Sequence, residues 1–218
     1  IEMCKGFDIP VSIHIDTGMN RLGFNLSEAL KYRDEIAKLN VRCLMSHLAC
    51  AEDSKNPKNK KQLEELQKVI GLLDDGYKVS FANSSGVFLG EEYHFDEVRA
   101  GCALYGLNPC KYSDNVLKNA ISLKAKILQI RKVHEGETTG YGASYKISEP
   151  KVLATIAVGY ADGLPRVWGD EGMVYIKNEP AKIVGKISMD SMVIDITTMA
   201  DKVNIGDWVE IIGDNQDP

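Results

Sequence analysis

What the sequence lacks narrows the field first. No apolar run approaches the roughly 20 residues that a bilayer-spanning helix needs, and no leader of basic, apolar and small residues is visible at the start. Positive charge is not in surplus: 26 Lys and Arg stand against 31 Asp and Glu, a formal net charge of −5. That balance argues against a nucleic-acid partner, which calls for clustered cations. Cysteine is scarce. The five present (Cys4, Cys43, Cys50, Cys102, Cys110) are odd in number and form no C-x-x-C pair, so free thiols in a reducing compartment are expected instead of a disulfide framework or zinc ribbon. Internal repeats and low-complexity linkers are missing as well. What remains is an ordinary globular composition, 44% hydrophobic and 26% charged, long enough for one large α/β unit or two smaller domains. The chain starts at Ile1 without a Met and stops at "IIGDNQDP", so it is expected to be cut at both ends.

Two halves differ in period. From Val11 to about Gly106, short apolar strands alternate with helical segments. "VSIHI" is followed by "NLSEALKYRDEIAKLN", where Asn25 and Glu28 have capping-box spacing and Ala29, Leu30, Ile36 and Leu39 share a face. "RCLMSHLA" predicts a second strand. "NKKQLEELQKVIGLLDDG" predicts a helix with Leu63, Leu66, Ile70 and Leu73 inward and Gly76 as its stop. "KVSFANSSG" and "FDEVRAG" read as two more strands. Strand–helix repetition implies parallel strands, either a TIM-type barrel or an open doubly wound sheet, with ligands at the strands' carboxyl ends. The polar clusters "DTGMNR", "SHLACAED", "NSSG" and "RAG" fall at those ends. Beyond about Lys111 the runs "AISLKAKILQIRKV", "KVLATIAVGYADG", "MVYIKNEPAKIVGKISMD" and "SMVIDIT" are strand-like. They predict a separate all-β domain, sandwich or barrel. The expected division is 1–110 and 111–218, with the boundary near Leu107–Ser113.

Each polar motif has a plain reading and a chemical one. Asp-Thr-Gly after a strand also marks an aspartic-protease lobe, but such a lobe needs a second carboxylate in an all-β setting. The plain alternative is a turn in which Asp16 caps a loop. His14 and Asp16 share a strand face, yet only His47 offers a further imidazole, so no metal site is expected. "FANSSG" has the small residues of a phosphate cradle. Arg99 ends an apolar strand and needs a carboxylate, phosphate or ring nitrogen as partner. "TGYGASY" and "VGYADGLPR" set tyrosines beside glycines, as an exposed reactive phenol or as strand packing.

Read in order, "HIDTGMNRLGF", "SHLACAED", "FANSSGVF", "VRAGCALYGLNP", "GYGASY", "VGYADGLPR" and "GKISMDSMVIDI" resemble the alanine racemase family along nearly the whole chain. The resemblance implies a pyridoxal 5'-phosphate enzyme, a TIM-type barrel followed by a β domain, and a head-to-tail homodimer that shares its active sites. It implies that Asn83 and Ser84 bind the cofactor phosphate, with Gly101 and Cys102 beside them. Arg99 is matched to the partner of the pyridine nitrogen, and His47 to the histidine that holds a tyrosine network. Arg21 falls beside the cofactor's phenolic oxygen and the substrate carboxylate, and the backbone N–H of Met189 on that carboxylate. Tyr141, reaching in from the partner subunit, is matched to one of two catalytic bases. Tyr160, Asp162 and Arg166 fall along the entry route and dimer contact.

Two pieces of the family pattern are expected outside these residues: the lysine that carries the cofactor and serves as the second base, and a final β segment. The isolated chain is therefore expected to be inactive. His14 stands where many relatives carry a carbamylated lysine. It is expected to be neutral beside Arg21, giving an enzyme indifferent to bicarbonate that loses activity in acid. The implied reaction interconverts L- and D-alanine in the cytoplasm. The rivals are serine racemisation, in a cytosolic domain of a membrane-tethered protein, and a non-catalytic cofactor-binding fragment.

Overall fold

A computed structural model describes Gly6, residues 8–73, 76–110, Asp114, 116–169 and 171–216. Cys4 and the stretch 111–113 of the expected boundary lie outside these residues. The chain forms two compact units, Ile1–Lys118 and Asn119–Pro218.

In the first unit β1 (Val11–His14), β2 (Val41–Met45), β3 (Lys78–Asn83) and β4 (Glu97–Arg99) form a parallel sheet in that order. Between β1 and β2 come α1 (Leu26–Lys31) and α2 (Arg33–Ile36), and α3 (Pro57–Leu73) links β2 to β3. The capping box at α1 is present: Asn25 accepts from the Glu28 N–H, and the Glu28 carboxylate accepts from the Asn25 N–H. The helical segment expected over "NLSEALKYRDEIAKLN" is divided at Tyr32, whose φ and ψ of −102° and 14° are not helical. The expected apolar face is kept except at one position. Ala29 and Ile36 are buried, whereas Leu30 points outward at 43% exposure. The Tyr32 ring instead packs near Phe24, 6.0 Å between centroids. α3 starts two residues before the expected segment, with Pro57 in its first turn, where a missing N–H costs nothing, and Asn56 accepting from the Lys58 N–H. Its buried face holds Leu63, Leu66, Val69 and Leu73, and also the polar Asn59 and Gln62.

The second unit is a closed antiparallel barrel, which decides between the two β architectures. Its strands are β5 (Leu123–Val133), β8 (Lys151–Ile156), β9 (Met173–Ile176), β10 (Glu179–Ile183), β11 (Met192–Asp195) and β12 (Trp208–Ile212), closed in the order β10-β11-β8-β5-β12-β9. A separate hairpin pairs β6 (Thr138–Thr139) with β7 (Tyr145–Lys146). Period-two alternation fills the interior with Ala125, Ile127, Ala154, Ile156, Val174, Ile176, Ala181, Ile183, Met192, Ile194, Val209 and Ile211. At "KNEP", Lys177 and Asn178 both take positive φ, 51° and 69°. That conformation suits the tight hairpin joining β9 to β10. Where the chain enters the barrel, the Asn119 amide donates to the Gly213 carbonyl at 2.8 Å. β5 and β12 are neighbours there.

One ion pair is set into the barrel wall. Lys151 Nζ lies 2.8 Å from Asp195 Oδ2, with side chains 14% and 19% exposed. Asp195 Oδ1 also accepts from the Thr197 N–H and hydroxyl. Burial raises the Asp195 pKa, but the hydrogen bonds from Lys151 and Thr197 outweigh it and hold the carboxyl below its ordinary value. Removing only the cation strands the carboxylate. Lys151→Met is expected to cost about 3 kcal/mol, read as a lower denaturant midpoint, whereas truncating both partners costs less.

Candidate active site

The loop after β1 is built around an inward-turned carboxylate. Asp16 Oδ1 accepts from the N–H groups of Gly18, Met19 and Asn20 at 2.8, 2.9 and 3.1 Å. Burial works against the charge, but these backbone donors and the Arg21 N–H prevail, and the carboxyl lies below its ordinary pKa. Asp16 is thus a loop cap and its acid is spent on its own backbone. The loop closes on the strand through a bridge between Ile15 and Phe24. Gly23 has φ of +110°, and a Cβ there would meet the His14 carbonyl oxygen at 2.6 Å. Only glycine fits that approach. The result is an exposed Arg21 held at the carboxyl end of β1.

Arg99, at the end of β4, is half-buried and makes no ion pair among the described residues. Its guanidinium donates to Ser80 Oγ at 2.6 Å, to the Ser46 carbonyl at 2.5 Å and to His47 Nδ1 at 3.3 Å. All three acceptors are neutral, and burial lowers the guanidinium's pKa. An arginine nonetheless stays protonated and donor-only. His47 Nδ1 must therefore accept, which puts the proton of the neutral ring on Nε2. That nitrogen faces the Asn83 amide nitrogen at 3.3 Å. The Asn83 amide is oriented by its oxygen, which accepts from the Gly86 N–H, and its nitrogen donates to the Leu48 carbonyl. Two donors thus face each other, and no acceptor among the described residues takes the His47 Nε2–H. Burial first, then the charges of Arg99, Arg21 and His14, depress the His47 pKa. His14 is lowered chiefly by burial and then by Arg99, with Asp16 opposing. Arg21, expected to be its main neighbour, ranks last.

Beside this pair the Ser84 hydroxyl accepts from the Gly101 N–H at 2.7 Å and the Ala103 N–H at 3.3 Å. Ser84 is buried, and the chain turns at Cys102–Tyr105 into a short 3-10 helix. Backbone donors and a hydroxyl therefore converge between the ends of β3 and β4.

The second unit gathers the remaining residues on two loops. The Tyr160 N–H donates to the Ser188 carbonyl and the Ala161 N–H to the Met189 carbonyl, both at 3.0 Å. Asp162 accepts from the Gly159 N–H at 2.9 Å, and the Arg166 guanidinium lies 4.9 Å from the centre of the Tyr160 ring. A Cβ on Gly159 would strike the Met189 carbonyl. Tyr141 is 66% exposed between Gly140 and Gly142, both at positive φ. Its loop rests on the same segment, with Ser144 Oγ accepting from the Lys186 N–H at 3.1 Å.

Comparison with known proteins gives this arrangement a family. A family model described as "Alanine racemase, N-terminal domain" matches residues 2–109, and one described as "Alanine racemase, C-terminal domain" matches residues 120–218. The chain belongs to the alanine racemase family. Among its relatives, the alanine racemase of Rickettsia bellii is 39% identical over 96% of this chain and 52% of its own length. The catabolic alanine racemase of Rhizobium johnstonii is 40% identical over 95% of this chain and 56% of its own. The crystal structure of the Bartonella henselae alanine racemase with covalently bound pyridoxal phosphate superimposes with a TM-score of 0.87 and 41% identity, over 99% of this chain and 61% of that one. The chain thus spans about half to three-fifths of the lengths of these racemases. In that fold the four parallel strands form part of a TIM-type barrel, and the six-stranded barrel is the family's β domain.

Of the residues picked out from the sequence, Arg99, His47, Asn83, Ser84 and Gly101 form one connected cluster in the first unit. Tyr160, Asp162, Arg166 and Met189 form another in the second. Ser46 and Ser80, which seat the Arg99 guanidinium, were not picked out. Their signal was a serine inside an apolar strand or at its end, 0% and 2% exposed. Because His14 and His47 are both held below the ordinary histidine value of about 6.5, the unfolded chain takes up protons first as pH falls. Stability is expected to be full above that value and to decline below it, toward the folded pKa. Urea midpoints at pH 7.5 and 5.5 measure this, and His47→Gln is expected to narrow the difference.

Proposed function

We propose that the protein carrying these two units is a pyridoxal phosphate-dependent racemase that interconverts L- and D-alanine. The observation that carries the reading is Arg99: a desolvated guanidinium at the end of a barrel strand, seated among the described residues only on neutral acceptors, next to the Ser84 hydroxyl and the Gly101 and Ala103 N–H groups that point at it. A planar heterocycle bearing a phosphate fits that donor set. The phosphate matches the hydroxyl and backbone N–H groups, and the ring nitrogen matches Arg99. When bound, pyridoxal phosphate makes the α-proton of an amino acid removable by drawing the electrons left behind into its ring.

This chain's residues then do the following. Arg99 donates to the ring nitrogen and keeps its proton, so that nitrogen accepts a hydrogen bond and stays unprotonated. Asn83, Ser84, Gly101 and Cys102 bind the phosphate. Arg21 and the Met189 N–H orient the substrate carboxylate. Tyr141, supplied across a homodimer, moves a proton on one face of the α-carbon, while a lysine outside these 218 residues serves the other. A phenol with pKa near ~10 needs cationic or donor neighbours to act as a base. The uncommitted His47 Nε2–H is such a donor, and Arg21 and Arg99 supply positive charge. Tyr160, Asp162 and Arg166 shape the entry route. The cytoplasm is the proposed location.

The full-length protein is expected to racemise both alanine enantiomers and to turn over serine more slowly. Faster serine turnover would reassign the substrate, and no racemisation of either would end the reading. Tyr141→Phe is expected to slow α-hydrogen exchange from one alanine enantiomer by about 10²–10⁴-fold and from the other far less. Isotope exchange into each enantiomer, followed separately, measures it. Equal losses would remove Tyr141 as a base for one face.

A further inference from the structure

The buried face of α3 carries an amide that apolar packing does not explain. Gln62 is 0% exposed, and it uses its amide entirely outside its own helix. Nε2 donates to Thr17 Oγ1 at 3.0 Å and to the His47 carbonyl at 2.9 Å, and Oε1 accepts from the Ala49 N–H at 2.9 Å. Both donors and the acceptor are therefore committed to the loops that follow β1 and β2. The connection continues beyond them. Thr17 Oγ1 shares a hydrogen bond of 2.8 Å with Ser46 Oγ, and the Ser46 carbonyl takes the 2.5 Å bond from Arg99. Thr17 and Ser46 are themselves buried, at 5% and 0% exposure. Gly18, at φ +129°, packs against the same helix, where a Cβ would lie 3.4 Å from the Lys58 side chain and 3.9 Å from Gln62.

We infer that Gln62 is a positioning residue of the site: it fixes the loops after β1 and β2 to one helix and so holds His47 and Arg99 in contact. The physical reason is convergence. One rigid amide sets the His47 carbonyl directly and Arg99 through Thr17 and Ser46, so both partners of the 3.3 Å contact take their positions from one side chain. Deleting the amide takes this partner from the Ala49 N–H and the His47 carbonyl and leaves the Thr17 hydroxyl with Ser46 Oγ. The loops must then move to find water. A residue that only filled space would need none of these bonds.

The test is carried out in the full-length protein with Gln62→Met, which keeps the side chain's length, and with Thr17→Val, which removes the same link from the other side. Leu73→Ala serves as a control: it opens a cavity on α3 far along the helix from these loops. The primary readout is the NMR titration of the His47 ring without cofactor. The charged groups that act on this ring are Arg99 from β4, Arg21 from the loop after β1 and His14 from β1 itself. Both site variants are expected to raise the His47 midpoint toward the ordinary value, as Arg99 and the dry packing withdraw. Leu73→Ala is expected to lower Tm and leave the midpoint in place. Should Gln62→Met fail to fold, Thr17→Val alone carries the comparison. An unmoved midpoint in the folded site variants overturns the inference, as does an equal shift in Leu73→Ala.

The catalytic arm rests on the proposed racemase reading. There kcat is expected to fall roughly ten- to hundredfold, the scale of a misplacement of about 1 Å, with KM changed much less. A His47 shift in a protein that racemises nothing keeps the positioning role and removes the racemase. Racemisation by the parent protein, with kcat and the His47 midpoint unchanged in both site variants, does the reverse.

Discussion

A guanidinium that cannot discharge itself, drawn half out of water, sets the terms for the first unit. Desolvating a cation is expensive unless its donors are met, and Arg99 meets its own with a hydroxyl, a carbonyl and an imidazole instead of a carboxylate. That choice has two effects. The positive charge stays uncancelled at the strand ends, ready for an electron-rich ligand atom. It also adds to burial in lowering the pKa of His14 and His47, and it dictates which nitrogen of the neutral His47 ring carries hydrogen. Ser46, Ser80 and the loops behind them then have to be placed accurately, because among the described residues the arginine has no flexible acidic partner to follow it.

The second unit solves a different problem. A short all-β chain must hide its edges, and closure of six strands into a barrel does so around a core of alternating aliphatic residues. With the wall closed, the loops at its rim can be irregular without exposing a ladder. Gly159 lets the Tyr160–Asp162 turn lie directly on Met189, and the Tyr141 loop rests on Gly185 and Lys186 one step before it. The rim residues are thereby tied to one segment, 185–189, while Tyr141 itself stands clear of the surface.

Much of this was legible in the residue order. Period-two runs after Ile121 gave the β domain, and the strand–helix alternation before Gly106 gave parallel pairing with polar clusters at the carboxyl ends. Periodicity could not choose between sandwich and barrel, because inward-facing aliphatics alternate in both, and it is β12, paired with β5 on one side and β9 on the other, that closes the ring. The break at Tyr32 was invisible because Tyr, Arg and Asp are all tolerated within a helix, and the packing of its ring near Phe24 accompanies the break. Asp16 was ambiguous between catalyst and cap, since both use an acid at a strand end. Three backbone donors on one oxygen resolve it. Gln62 was hidden by its context: in "KKQLEELQK" it reads as one more solvated polar residue, and its 0% exposure arises from the folding of two distant loops onto it.

The way the barrel closes also governs how it would come apart under load. Chain entry and exit lie side by side, with Asn119 bonded to Gly213 and Leu123 facing Ile212 across an antiparallel pair. Traction applied at those two points acts across the β5–β12 ladder from its open end, so its hydrogen bonds would be loaded one after another and not in parallel. A seam of that kind peels. Among the described residues the Asn119 amide ties that open end to Gly213, and the domain is therefore expected to be mechanically soft to a pull through its own backbone.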